Sequence, residues 1–135
     1  LRMDRICTNT IKVAEYLKQH AKVEWVNYAG LPDHADHGLV KKYMGGRASG
    51  ILSFGVKGGF EAGGRFQDAL KLITRLVNIG DAKSLACHPA STTHRQLSPA
   101  ELAKAGVSPD MVRLSIGIEH IDDIIADLEQ ALAAV

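Results

Sequence analysis

Arg113 stands in the stretch Ser108-Pro-Asp-Met-Val-Arg-Leu-Ser-Ile-Gly-Ile-Glu119, among apolar residues (Met111, Val112, Leu114, Ile116, Ile118) that read as a strand. A guanidinium in an apolar strand is costly unless its charge is compensated. Its planar fork of donors suits a carboxylate. Two readings follow. Arg113 holds an internal Asp or Glu, or it reaches a cleft and holds the carboxylate of a ligand. On pattern alone the internal pair, or a solvated edge, is the commoner outcome.

Other residues invite chemistry and carry less of it. His34 and His37 flank Asp36, but their loop offers no regular helix to make two imidazoles converge and no third ligand, so a metal is not expected. Cys87-His88 with His94 suggests thiolate chemistry. A nucleophilic thiol needs a base and an activating environment, and neither is visible, so Cys87 reads as structural and half-buried. Gly55-Val-Lys-Gly-Gly-Phe-Glu-Ala-Gly-Gly64 has the look of a phosphate cradle before a helix. Its spacing matches neither the dinucleotide fingerprint nor the P-loop, and glycines at a strand exit are the simpler reading. Ser91-Thr-Thr-His94 could donate to a ligand or satisfy its own backbone. No paired carboxylates, no triad and no metal set complete a catalytic apparatus, so the chain reads as a binding or supporting domain.

The elements that must position these groups follow from periodicity. Met3 to His20 is a helix with Ile6, Thr10, Val13, Ala14 and Leu17 on one stripe. Val23–Tyr28 and Ile51–Val56 are strands, and Gly38–Met44 is a short helix. Gly58-Gly59 and Gly63-Gly64 bracket a loop, after which Phe66–Leu76 is expected to be helical, with Phe66, Ala69, Leu70, Ile73 and Val77 on one face. Asn78 to Ser84 is a turn or short extended piece, Leu85 and Ala86 are extended, and His88 to Gln96 is irregular. Ser98-Pro99-Ala100-Glu101 is a helix start, with Ser98 as cap and Glu101 closing a capping box; that helix ends at Gly106. The Arg113 strand and a helix over Ile121–Ala134 complete the order. Alternating helices and strands predict an α/β (α+β) fold, a small sheet covered by helices.

With 135 residues the chain has room for one core. An apolar fraction of 46% with 23% charged residues is ordinary for a globular domain. A formal charge of +1 carries no nucleic-acid footprint or polybasic membrane patch. No apolar run approaches a membrane span, and two cysteines make no disulfide framework, which fits a reducing cytoplasm. The opening Leu1-Arg2-Met3, without an initiator Met, suggests a piece of a longer protein.

Three ordered motifs, Asn78-Ile-Gly-Asp-Ala-Lys-Ser-Leu85, His88-Pro-Ala-Ser-Thr-Thr-His94 and Val112-Arg-Leu-Ser-Ile-Gly-Ile-Glu119, resemble the C-terminal domain of the Cys/Met-metabolism family of pyridoxal-phosphate enzymes. Trp25-Val-Asn-Tyr-Ala-Gly-Leu-Pro32 and Phe54-Gly-Val-Lys-Gly-Gly59 extend the likeness over essentially the whole chain. The resemblance implies a fold-type I protein whose small domain, residues 1–135, is a mixed sheet covered by helices, with 1–20 as the helix linking it to a large cofactor-binding domain. It implies that Arg113 grips the α-carboxylate of an amino-acid substrate, with Thr93 close by. Asn78 stands where many lyases and synthases of the family carry Ser followed by Leu. The pair Asn78-Ile79 resembles the acylhomoserine sulfhydrylase branch instead, which weakens the carry-over of the Ser contact and leaves Asn78 a candidate.

The implied activity is that of a transferase of methionine biosynthesis, converting O-acetyl-L-homoserine and sulfide to homocysteine and acetate in a cytoplasmic homotetramer. Methionine γ-lyase, cystathionine γ-synthase and O-succinylhomoserine sulfhydrylase share the carboxylate grip and remain alternatives. The family's Schiff-base lysine and phosphate-binding residues match nothing here, and Lys83 lies in the wrong motif. So pyridoxal 5'-phosphate is expected to belong to the large domain, with no catalytic, cofactor or metal residue in this segment and no turnover by it alone. Such a chain should leave an apolar face uncovered along its first helix. A free-standing, non-enzymatic binding module would equally lack the lysine.

Overall fold

The computed structural model describes residues 1–135. Five strands form one mixed sheet: β1 (Val23–Asn27), β2 (Ile51–Val56), β3 (Thr74–Arg75), β4 (Leu85–Cys87) and β5 (Met111–Ser115), in the order β1-β2-β5-β4-β3. The β1–β2, β2–β5 and β5–β4 pairs are antiparallel and β4–β3 is parallel. β5, last in sequence, is thus inserted at the centre, and it carries Arg113.

Strand alternation separates two faces. Leu52, Phe54 and Val56 of β2, Val112 and Leu114 of β5 and Ala86 of β4 are buried in the core. The helices α1 (Arg2–Gln19), α3 (Gly59–Ala69) and α5 (Ile121–Ala133) pack on that side, contributing Val13, Ala14, Leu17, Phe66, Ile124, Leu128 and Leu132. Phe54 and Phe66 meet edge-on with ring centroids 5.5 Å apart, which favours the ring quadrupoles. The opposite face carries Ser53, Arg113 and Cys87 and is bordered by α2 (His37–Met44), a 3₁₀ turn (Pro89–Ser91) and residues 105–107, which follow α4 (Pro99–Lys104).

Most expected elements form where the periodicity puts them, and the Ser98–Glu101 capping box is complete. One helix is displaced. The Gly59–Ala69 helix starts inside the expected glycine loop and stops well short of Leu76. Gly58 and Gly59 do make the strand-exit turn, with φ of +106° and +72°. Gly63 and Gly64, however, lie inside the helix. The other end is unwound by a distant group. Asp127 of α5 accepts from the backbone N–H groups of Lys71, Leu72 and Ile73 at 2.8–3.0 Å, so these residues leave the helix and lead into β3. Phe66 and Ile73 are still buried, but Val77 is exposed.

The uncovered apolar residues also differ from expectation. On α1 only Met3 is a large exposed apolar side chain, preceded by Leu1. Seven of the others gather on α2 (Leu39, Tyr43, Met44) and along Leu72, Leu76, Val77 and Ile79, while Phe60, Leu97 and Ile118 are scattered singly. No helix is long and apolar enough to cross a membrane.

Candidate functional site

Strand register assembles the site. Asn27 pairs with Ser53, Ser53 with Arg113, and Arg113 with Cys87, so one row of side chains crosses four strands. Paired residues project from the same face, about 5 Å apart. All four line a cleft of about 640 Å³ on the face away from the helices, and Thr93 and His94 line it too.

Arg113 is half-buried, and none of the ion pairs in the chain includes it. Its one hydrogen bond is long, 3.4 Å from Nη2 to the backbone carbonyl of Asn78. The internal carboxylate partner that strand arginines commonly have is therefore not present. A half-buried fork of charged donors with one weak neutral acceptor can still take a bidentate anion.

Thr93 reaches the same cleft, its hydroxyl 2.8 Å from His94 Nδ1. Asn78 does not line it. The Asn78 side chain serves its own turn: Oδ1 accepts from Ile79 N at 2.8 Å and Nδ2 lies 3.4 Å from Asp81 Oδ2. It meets Arg113 through its main chain. The structure thus places Arg113 and Thr93 on the wall of one cleft and leaves the Asn78 carboxamide beside the cleft rather than in it.

Cys87 is more deeply buried than expected, 3% exposed, and is a free thiol. Burial pushes its pKa up, and the neighbouring guanidinium pulls it partly back. His34 and His37 do not converge: His34 Nε2 bonds Asn27 Oδ1 at 2.8 Å, and His37 Nδ1 bonds the Ala29 carbonyl at 3.2 Å. Asn27 and Ser53 are cleft residues that sequence reasoning passed over, while His94, singled out with the Ser91–His94 hydroxyl cluster, does line the cleft. Alternation in β2 does put Ser53 opposite the core, but its pairing with Arg113 depends on a register joining residues 60 positions apart.

The polar groups lining this cleft are a guanidinium, hydroxyls, a carboxamide, a thiol, imidazoles and one carboxylate, Asp36 at the start of α2, which makes no ion pair with Arg113; no lysine lines it. That set fits a carboxylate. It does not fit pyridoxal phosphate held through an amine.

The sequence model of the Cys/Met metabolism PLP-dependent enzymes matches residues 1–133, and the chain belongs to that family. Within it, the chain is 54% identical over 133 residues to O-acetyl-L-homoserine sulfhydrylase 1 of Thermus thermophilus, covering 98% of this chain and 32% of that protein. It is 51% identical over 132 residues to homocysteine synthase of Schizosaccharomyces pombe, covering 98% and 31%. A crystal structure of the putative O-acetylhomoserine (thiol)-lyase of Campylobacter jejuni, which contains N'-pyridoxyl-lysine-5'-monophosphate, superposes with a TM-score of 0.90 at 47% identity, over 98% of this chain and 31% of that one. The chain thus spans about a third of the length of the curated relatives it matches.

Proposed function

We propose that residues 1–135 form the C-terminal, substrate-carboxylate-binding domain of an O-acetylhomoserine sulfhydrylase, a transferase that makes homocysteine and acetate from O-acetyl-L-homoserine and sulfide. The observation that carries this reading is Arg113, a half-buried guanidinium in a cleft with no carboxylate partner in its own chain. Arg113 holds the amino acid's α-carboxylate through paired N–H···O bonds, Thr93 supplies a hydroxyl nearby, and the Asn78 carbonyl steadies the guanidinium. Holding the substrate in one orientation is catalysis by positioning. Likeness to sulfhydrylases and a homocysteine synthase at 51–54% identity supports the substrate. Relatives about three times as long, and a cleft without lysine, support a cofactor held by an N-terminal partner domain, in a cytoplasmic homotetramer like that implied for the family.

The test is Arg113→Ala in the complete enzyme. The expected loss is about 2–5 kcal/mol of transition-state binding, read as kcat/KM, the usual cost of removing one partner of a desolvated charge pair. An unchanged kcat/KM defeats the assignment. Homocysteine formation from sulfide with O-acetyl- against O-succinyl-homoserine decides the acyl group.

A further inference from the structure

His88 is completely buried, and nothing in the proposed grip on the carboxylate uses it. It follows β4 and opens the 3₁₀ turn that leads to Thr93. Its Nε2 lies 2.8 Å from the Pro109 carbonyl, which can only accept, so Nε2 carries a proton and donates. Its Nδ1 lies 2.9 Å from the Ser91 hydroxyl. Its own carbonyl accepts from Ser91 N at 3.2 Å and from Thr92 Oγ1 at 2.8 Å. The imidazole therefore links the turn carrying Thr93 to the residues that lead into β5 and Arg113. No other hydrogen bond joins segments 88–97 and 105–110.

The ring is also clamped from the helix side. Phe60 packs on it with ring centroids 5.2 Å apart. Gly63 leaves the space it needs, since a Cβ built there would stand 2.7 Å from Nε2 and 2.9 Å from Cδ2. A glycine inside a helix is less favourable than alanine, so this close approach is made at the expense of helix stability.

We infer that His88 is a positioning residue: by bridging Pro109 and Ser91 it sets Thr93 against Arg113 and so shapes the seat of the substrate carboxylate. The inference rests on the roles proposed above for Arg113 and Thr93. It predicts that damage at His88 appears in substrate affinity and not only in stability.

The experiment uses the complete enzyme with its cofactor and measures the dissociation constant of L-norleucine, an amino acid without a leaving group, together with kcat, KM and Tm. His88→Leu is expected to weaken L-norleucine binding and raise KM about 10-fold, with a smaller change in kcat. His88→Gln, whose carboxamide can donate to the Pro109 carbonyl, should recover most of that affinity. Gly63→Ala, which changes no hydrogen-bonding group but intrudes on the ring, should reproduce the defect. It should add nothing to His88→Ala, where the space is free. If His88→Leu does not fold, Gly63→Ala and His88→Gln give the answer. A lowered Tm with L-norleucine affinity and KM within twofold of the parent overturns the inference, as does a Gln variant that restores Tm without restoring affinity. Arg113→Ala, run alongside, separates the two ideas. If it binds L-norleucine normally, the Arg113 reading itself fails; if it loses affinity while the His88 variants keep theirs, only the role of His88 fails.

Discussion

Cys87 and Arg113 face each other directly across the β4–β5 ladder, so a buried thiol and a half-buried guanidinium leave the sheet on the same side. Burial raises the thiol pKa because the thiolate is the charged form, and the guanidinium lowers it by favouring that same form. Removing the cation should leave burial unopposed. In Arg113→Met the pH profile of Cys87 alkylation, followed by peptide mass spectrometry, is expected to move to higher pH. Cys7, raised by burial alone and carried on the buried side of α1, serves as the internal control and should not move. A Cys87 profile that stays in place would mean that solvent screens the guanidinium from the thiol.

Asp127 holds Lys71, Leu72 and Ile73 by their backbone N–H groups from a buried position on α5, with Gln130 Nε2 donating to it at 2.9 Å. Charge-assisted bonds of this kind are worth more than neutral ones. Asp127→Asn keeps the shape, loses the charge and aims an N–H₂ at groups that can only donate. The expected cost is about 2–3 kcal/mol in urea denaturation. Faster amide exchange should be concentrated at residues 71–73 and β3. A variant as stable as the parent would show that water replaces the carboxylate without loss.

The same carboxylate explains where sequence reasoning failed. The stripe Phe66, Ala69, Leu70, Ile73 is a fair helical pattern, and a residue more than fifty positions away breaks it. Gly63 and Gly64 hid the first half of that helix, because the reason for Gly63 is the ring of His88 from another element. Elements whose cause is local were readable: the stripe of α1, the apolar strand runs of β2 and β5, and the Ser98–Glu101 box. For the site, Arg113 stood out because a charge in an apolar strand needs a partner. Its neighbours Ser53 and Asn27 did not, since a lone Ser or Asn on a strand carries no such anomaly.

The capping box gives a pH-dependent prediction. Glu101 accepts from the Ser98 hydroxyl at 2.6 Å and from Ser98 N at 2.8 Å, which holds its carboxyl below the ordinary 4.5. A carboxyl whose folded value is depressed adds stability that is present above its unfolded value and is lost as pH falls through the folded one. Side-chain NMR titration should find Glu101 with a midpoint below 4.5 and α4 amides exchanging faster as pH drops through that midpoint. Ser98→Ala should return the midpoint towards 4.5 and cost about 1 kcal/mol of helix stability. An unshifted Glu101 would mean that the box is open in solution.

Gly117 shows how the end of the Arg113 strand depends on close packing. Its φ is not positive, so the need for glycine is one of space. A Cβ there would lie 2.3 Å from the Ala82 carbonyl oxygen and 2.6 Å from the Lys83 carbonyl carbon, and backbone cannot swing aside as a side chain can. Around it Gly117 N donates to Ser84 Oγ at 2.9 Å, Ile118 N donates to the Ala82 carbonyl at 2.9 Å, and Glu119 accepts from both Ser84 N and Ser84 Oγ. These bonds hold the Asn78–Ser84 segment, whose first carbonyl meets Arg113. Gly117→Ala must push that segment away from β5, with an expected loss of about 3 kcal/mol in urea denaturation. In the complete enzyme it should also weaken L-norleucine binding, because the Asn78 carbonyl moves with the segment. Gly64→Ala makes the contrast: nothing lies within 4 Å of its added Cβ, and it sits inside α3, so alanine there should stabilise by up to about 1 kcal/mol. The two substitutions are chemically identical and should move stability in opposite directions; a neutral Gly117→Ala would mean that the segment is not seated against the strand as closely as this packing requires.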